Sequence, residues 1–379
     1  MNVTLKRTTD TSTVRLSIGS VLAVVAAFAS AGFILWITGK PVGDAFISMY
    51  TASFGTLDGW EATLTRAAPL ALTGLAVSTA LRMQTWNIGA EGQLLIGAAT
   101  ATAVGFAVPG LPTVFLLPLM CLGAIIGGMV WVLLAAIPRA ALGVNEIIVT
   151  LFLNYIAIRV VSLLVYGPWK DPGAVGFAYS RPVPAQGLIG TIPGTNVSLA
   201  VPSVVVLAIV ISLVLDRSRW GFSVDIAGGN SRLANYLGFS HRAKIVSIMV
   251  LSGALAGLAG VVQLSASSGR LQPDLASGYG YAGILVAFLA GRRIFKVLGV
   301  AVLFAGLIQG GIALQSNGIP SALSSVIQAF VIFFILIART LSHYRLQRSH
   351  PLPENGASHD PPQHSPSSLT SHTEAHVQS

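Results

Sequence analysis

Long apolar runs separated by short polar breaks fill most of the chain. Ten runs stand out, at about 17–38, 63–81, 87–107, 113–137, 145–166, 197–215, 245–264, 276–290, 297–314 and 321–338, and each predicts a helix. Most hold about 20 residues, enough to cross a ~30 Å hydrocarbon core. The expected fold is an all-α polytopic membrane protein with about ten transmembrane helices. The first run follows Lys6, Arg7 and Arg15 and contains Ala29-Ser30-Ala31, which resembles a signal-peptidase site. It continues through Phe33-Ile34-Leu35-Trp36, too long for a typical cleaved signal, so an uncleaved anchor is expected. Three parts result: a short N-terminal segment 1–16, a transmembrane domain 17–344 and a tail 345–379. The tail is Ser, Thr, Pro and His without apolar periodicity, and is expected to be disordered. Five of the seven histidines lie in it at irregular spacing, which fits a solvated tail better than a metal site.

Composition sharpens this. Hydrophobic residues make up 53% and charged residues 9%, against about a quarter charged in a soluble domain. A soluble enzyme, a coiled coil and a disordered chain are excluded. The formal charge is 22 − 13 = +9, and its distribution reads as orientation rather than affinity for nucleic acid. With the N-terminus in the cytoplasm, sixteen of the 22 Lys and Arg fall on cytoplasmic segments. Four (Lys40, Lys170, Arg181, Arg270) fall outside, and Arg66 and Arg159 lie within spans. That asymmetry predicts ten crossings with both termini inside. The Pro- and Gly-rich break 167–196 is then external, and 216–244 is the longest cytoplasmic loop. Cys121 is the single cysteine, so no disulfide framework or cysteine-rich metal site is available.

Spans two to five and seven to ten form two four-helix units of opposite orientation. The second span of each unit starts with a Gly-rich polar stretch, Trp86-Asn87-Ile88-Gly89-Ala90-Glu91-Gly92-Gln93 and Ser277-Gly278-Tyr279-Gly280-Tyr281-Ala282-Gly283. Paired interrupted helices in inverted repeats point to a transport pathway. No nucleophile–base arrangement, H-E-x-x-H or phosphate-binding loop occurs; Gly39-Lys40 is followed by proline. Chemistry instead concentrates on polar groups in spans. Glu91 and Glu146 are the two carboxylates within or at the edge of spans, and such residues face a cavity or a partner. Asn87 and Glu91 are four apart and share a face if the segment is helical; with Gln93 they read as a lining for a polar solute, a bracket holding a broken helix, or an interfacial segment near Arg82. Glu146 with Asn145 reads as an interfacial helix start. Arg66 is expected to snorkel outward, and Arg159 to pair with a carboxylate or lie near the outer surface.

In the loop 216–244, Gly228-Gly229-Asn230 is a break with a good N-cap, Ser231 to Leu237 predicts two helical turns, and Gly238 is a stop. Leu233, Tyr236 and Leu237 form a small apolar face. It fits either a groove on another protein or lipid headgroups.

Several of these stretches resemble one family. Asn87-Ile88-Gly89-Ala90-Glu91-Gly92-Gln93-Leu94-Leu95-Ile96-Gly97-Ala98, preceded by Pro69-Leu70-Ala71-Leu72-Thr73-Gly74-Leu75, resembles the permease subunits of nucleoside-type ABC importers, within the branched-chain amino acid and simple-sugar permease group. The run Gly229-Asn230 to Ala234-Asn235-Tyr236-Leu237-Gly238 is similar to that group's coupling segment. Ser252-Gly253-Ala254-Leu255-Ala256-Gly257-Leu258-Ala259-Gly260 and Pro273-Asp274 with Gly278 to Ile284 also match. Trp86, Leu233-Ala234 and Ala290-Gly291-Arg292-Arg293 depart from the usual pattern.

The resemblance, covering about 60 to 340, implies a nucleoside or purine permease of a bacterial cytoplasmic (inner) membrane. It implies a shorter homologous permease as heterodimer partner, two ATP-binding subunits that carry the ATP and Mg, and an extracytoplasmic solute-binding lipoprotein. The chain itself is expected to hold no cofactor and no metal, and to catalyse nothing. Asn87, Glu91, Gln93, Tyr279 and Tyr281 become pathway or broken-helix candidates. Gly229, Asn230, Leu233, Ala234, Tyr236, Leu237 and Gly238 become the ATPase-coupling helix. Three alternatives stand beside this reading: a proton- or cation-coupled carrier using Glu91 and Glu146, sugar or branched-chain amino acid cargo within the same class, and a non-transporting scaffold.

Overall fold

The computed structural model describes residues 3–7, 13–174, 176–266, 269–291, 293–341 and 344–348. Most of the tail therefore lies outside the described residues, as does Arg292 in the basic turn. Each of the ten apolar runs falls on a helix. These are α1 (Thr13–Ile37), α3 (Leu57–Ala80), α4 (Ala90–Ala107), α5 (Thr113–Leu142), α6 (Glu146–Tyr166), α7 (Ala200–Arg217), α10 (His241–Ala266), α11 (Tyr279–Ala290), α12 (Ile294–Ser316) and α13 (Ser321–Leu341). Three shorter helices fill the breaks: α2 (Val42–Tyr50), α8 (Arg219–Gly229) and α9 (Ser231–Tyr236). A π-helical turn, Thr51–Gly55, joins α2 to α3.

Among the described residues, six helices are long and apolar enough to cross a membrane: α3 extended to Met83, α5, α6, α7, α10 and α12. Helix α11 holds 12 residues and at 1.5 Å each rises about 18 Å, roughly half of a hydrocarbon core. The span expected at 276–290 is thus a half-helix preceded by turns. Helix α4 begins three residues later than expected, because the chain leaves α3 through a 3-10 turn (Leu81–Met83) and a left-handed Gln84 (φ 56°).

Close approach of backbones holds the centre together. Gly253, Gly257 and Gly260 sit on α10 at spacings of four and three. A Cβ on Gly253 or Gly257 would run into backbone oxygens of α5, at Gly128 and Ala124, and one on Gly260 into Leu94 of α4. Small residues at such spacing let membrane helices pack by van der Waals contact, where no hydrophobic force operates between them. Helix α3 packs against α10, α11 and α12 and is buried along one continuous stretch from Ala67 to Ala80. Helices α1, α2, α12 and α13 share a satellite cluster around Leu35, Met49, Leu314 and Ile327.

At the chain ends, Val3–Arg7 (β1) pairs antiparallel with Tyr344–Arg348 (β2). Residues 345–348 therefore belong to a strand and not to the expected disordered tail. The loop after α6 is irregular, as its prolines demand, and folds onto the α10–α11 connection through Ser180 N–H to Leu271 O (3.0 Å) and Val183 N–H to Gly269 O (2.9 Å).

Candidate functional site

The two Gly-rich stretches meet N-terminus to N-terminus at the centre of the bundle. A Cβ on Gly280 would collide with backbone atoms of Ala90 and Glu91, so only glycine allows α4 and α11 to come this close. Glu91, in the first turn of α4, reaches across the junction. Its carboxylate accepts the Gly278 N–H at 2.8 Å and the Gly280 N–H at 2.6 Å. Gly278 is left-handed (φ 83°), a conformation that costs glycine little and turns these N–H groups toward the carboxylate. Glu91 thus sits between the positive ends of two helices and satisfies donors that would otherwise be orphaned at the start of α11. Hydrogen bonds to an ionised acceptor contribute about 1.5–3 kcal/mol each, which offsets burial of a carboxylate only 6% exposed.

Asn87 and Glu91 do not share a helical face, because Asn87 lies outside α4. Its amide pairs reciprocally with that of Gln93: Asn87 Nδ2 donates to Gln93 Oε1 and Gln93 Nε2 donates to Asn87 Oδ1, both at 2.8 Å. Asn87 Nδ2 also donates to Ser252 Oγ (2.8 Å), whose hydroxyl donates to Ala76 O of α3 (2.6 Å). Asn87 and Gln93 are each 1% exposed. Their polar atoms are turned on one another and on α10, leaving little to face a solute in this conformation.

Asn154 of α6 completes the seam. It accepts the Gly92 N–H (2.8 Å) and donates to Ile88 O (2.9 Å) and to the Tyr281 hydroxyl (3.2 Å). Tyr281 is 38% exposed, whereas Tyr279 is buried at 3%. Thr73 Oγ1 of α3 donates to Tyr279 O (3.0 Å). Thr73 and Ser252 lie in the family-resembling stretches but were not among the candidate site residues, and neither was Asn154, for which an amide in the middle of the apolar run 145–166 is the available signal. At the start of α6, Asn145 caps the helix by accepting the Ile147 N–H (2.9 Å). Glu146 turns inward, where its carboxylate pairs with Arg139 (3.1 Å) and accepts the Trp86 N–H (3.2 Å).

One arginine lies in the first half of α3 and another in the 3-10 turn just past its end. Arg82 is 7% exposed and pairs with Asp216 at the end of α7 (2.5 Å) and Asp225 of α8 (3.3 Å). A Cβ on Gly228 of α8 would strike the Arg82 carbonyl, so α8 lies directly on the end of α3. Arg66 does not snorkel outward. Its Nε donates to Gln309 Oε1 of α12 at 2.6 Å, and its guanidinium faces the Tyr279 hydroxyl. Among the described residues no carboxylate pairs with it. A charge within a span costs up to about 2.5–3.5 kcal/mol on insertion scales, the full figure applying at the helix centre.

Past α8, Asn230 caps α9 by accepting the Arg232 and Leu233 N–H groups (3.0 and 3.1 Å). Gly229 has open space around it and Gly238 is left-handed (φ 78°), which ends the helix. Ala234 is buried, while Leu233, Tyr236 and Leu237 are 45%, 88% and 46% exposed. The predicted apolar face is present and points away from the body of the protein.

A bundle of membrane helices interrupted at its centre, with polar groups locked across the interruption, has the build of a membrane transport subunit. The chain belongs to the family described as branched-chain amino acid transport system / permease component, whose model matches residues 59–336. It is 35% identical to the glucose ABC transporter permease protein TsgB13 of Haloferax volcanii, over 86% of this chain and 88% of that protein. It is 30% identical to the guanosine ABC transporter permease protein NupP of Bacillus subtilis, over 83% and 91%. It is 25% identical to the nucleoside ABC transporter permease protein NupB of Lactococcus lactis, over 83% and 89%. The protein is therefore a multi-pass ABC permease, a transport component and not an enzyme. Its family implies ATP-binding subunits and a solute-binding protein.

Proposed function

We propose that this chain forms the translocation pathway of a nucleoside-importing ABC transporter in a bacterial cytoplasmic membrane, with ten crossings and both termini inside. A shorter homologous permease completes a heterodimer, two ATP-binding subunits drive it with ATP and Mg, and an extracytoplasmic lipoprotein delivers the solute. The observation that carries this reading is the capped, outward-facing helix α9 joined through α8 and Arg82 to α3. An exposed apolar face on a short rigid helix suits docking into a groove, here on an ATP-binding subunit. Gly229, Asn230, Ala234 and Gly238 shape that helix, and Leu233, Tyr236 and Leu237 present its contact face.

Motion of α8 and α9 would reach the half-helices through α3, whose Thr73 holds Tyr279 O and whose Ala76 O holds Ser252. Glu91, Asn87 and Gln93 serve as the bracket of the interrupted helices, and Tyr281 offers the exposed ring beside the seam. Because the Glu91 carboxylate is engaged by backbone N–H donors, the bracket role is better supported than a proton relay.

One substitution separates this reading from a proton-coupled carrier. Tyr236→Asp changes folding stability by less than about 0.5 kcal/mol, because the side chain is exposed, yet abolishes uptake by an ATP-driven permease. Retained uptake in that variant at normal membrane levels overturns the coupling role. The cargo is tested by uptake of labelled guanosine, adenosine and glucose in a strain lacking the chain and in the complemented strain. Sugar cargo is the second reading, favoured by the glucose permease relative at 35% identity, and glucose uptake without nucleoside uptake would establish it.

A further inference from the structure

We propose that Arg66 and Tyr279, set by Gln309, form a solute-contacting subsite that selects a 6-oxopurine nucleoside over a 6-aminopurine one. This rests on the nucleoside reading above and adds to it the residues that choose the base.

The cluster holds unmatched donors. Glu91, Asn87, Gln93 and Asn154 are saturated by one another and by backbone groups, and the positive end of α11 is already occupied by the Glu91 carboxylate. One helical turn or two along α3 the balance is reversed. Arg66 brings five N–H donors, of which Gln309 Oε1 accepts one. The Tyr279 hydroxyl, buried beside the guanidinium, has no hydrogen-bond partner of good geometry among the described residues. If it accepts from Arg66, its own O–H must still find an acceptor. Arg66 itself is only half-buried, whereas Tyr279 is enclosed. Three elements, α3, α11 and α12, therefore converge on a place that holds positive charge and spare donors but no carboxylate.

A planar fork of guanidinium donors matches two adjacent acceptors. The O6 and N7 atoms of guanine or hypoxanthine present such an edge, whereas adenine replaces the O6 acceptor with an amino donor. The Gln309 bond to Nε fixes the plane of the fork, which makes Gln309 a positioning residue. Facing adenine, one arm of the fork would meet another donor.

The experiment measures uptake of labelled guanosine and adenosine by cells carrying the full-length chain with its native partner subunits, reported as the guanosine-to-adenosine ratio of kcat/KM. The wild type should favour guanosine. Arg66→Lys keeps the charge but loses the fork, and should lower the ratio on the order of tenfold. Gln309→Glu keeps the volume, pairs with Arg66 and should lower the ratio as well. Tyr279→Phe removes only the hydroxyl and should lower it less. If Arg66→Lys fails to accumulate in the membrane, Gln309→Glu and Tyr279→Phe carry the test. An unchanged ratio in the variants that do accumulate overturns this inference and leaves the nucleoside reading standing. A wild type that carries both nucleosides equally does the same. A wild type that carries neither overturns the cargo reading and this inference with it.

Discussion

Arg66 in α3 and Arg82 in the turn that follows it have opposite surroundings. Arg82 is enclosed by two carboxylates from α7 and α8 and by the Leu215 carbonyl. Arg66 has an amide and a phenol. Arg82 is thus part of the frame, a charge whose burial is balanced and whose partners tie three elements to one point. Arg66 is a charge retained without balance, and a retained imbalance in a membrane span is where function is to be sought. Neutralised polar groups hold a membrane protein in shape, and those left over are available to a solute.

Removing each arginine in turn tests the contrast. Arg82→Ala takes the shared cation away from Asp216 and Asp225 and releases α8 from α3. Loss of one partner of a fully buried pair costs 3–5 kcal/mol; here both aspartates are more than a third exposed and water takes up part of their charge, so the expected loss is smaller, about 1–3 kcal/mol. Thermal unfolding of the detergent-solubilised protein should show a clear drop in Tm. Arg66→Gln removes one hydrogen bond, about 1 kcal/mol, together with the burial of an unpaired charge, so its Tm should stay level or rise. Equal drops in the two variants would erase the contrast and make both arginines structural.

The bracket should respond on the scale of Arg82. Glu91→Gln leaves one acceptor oxygen for two N–H groups and turns an amide N–H₂ toward the other. The expected loss is about 1.5–3 kcal/mol, one charge-assisted hydrogen bond. Uptake should fall with the amount of folded protein and keep its pH profile. A carrier using Glu91 as a relay would instead lose its pH dependence, which uptake assays at pH 6 and pH 8 would separate.

How much of this was legible beforehand follows from what each feature depends on. The ten apolar runs were readable because a helix in lipid must be apolar over its whole length, a property each segment carries by itself. Asn230 and Gly238 were readable for the same reason, since capping is local. Helix α2 and its π-helical turn were not readable, because residues 42–55 mix Asp44, Ser48, Thr51 and Ser53 with apolar side chains and lack the length of a span. The condition for Asn87 to share a face with Glu91, a continuous helix, is not met, and nothing in the local sequence says that Gln84 turns left-handed and delays the helix. The direction of Arg66 was misread because its partner, Gln309, lies 243 positions away. Snorkelling is the default only when no polar group waits inside.

A third arginine extends the comparison to the weakest case. Arg270 pairs with Asp171 in the loop that folds over the α10–α11 connection. The Asp171 carboxyl is held below the usual carboxylate range by the Gly173 N–H and then by Arg270. A depressed carboxylate pKa contributes stability that is full above the unfolded value of about 3.9 and fades as pH falls through the lower folded value. The loop should therefore be indifferent to pH across the neutral range and loosen only below about pH 4. The pair is close to solvent, where ion pairs contribute little. Asp171→Asn should thus leave Tm almost unchanged at pH 7 while removing the acid-dependent step. Limited proteolysis within 167–196, followed from pH 7 to pH 3, reads that step directly. A cleavage rate in the wild type that rises already near pH 6 would show that a different group fastens the loop, and would remove Arg270 from the series that Arg82 heads.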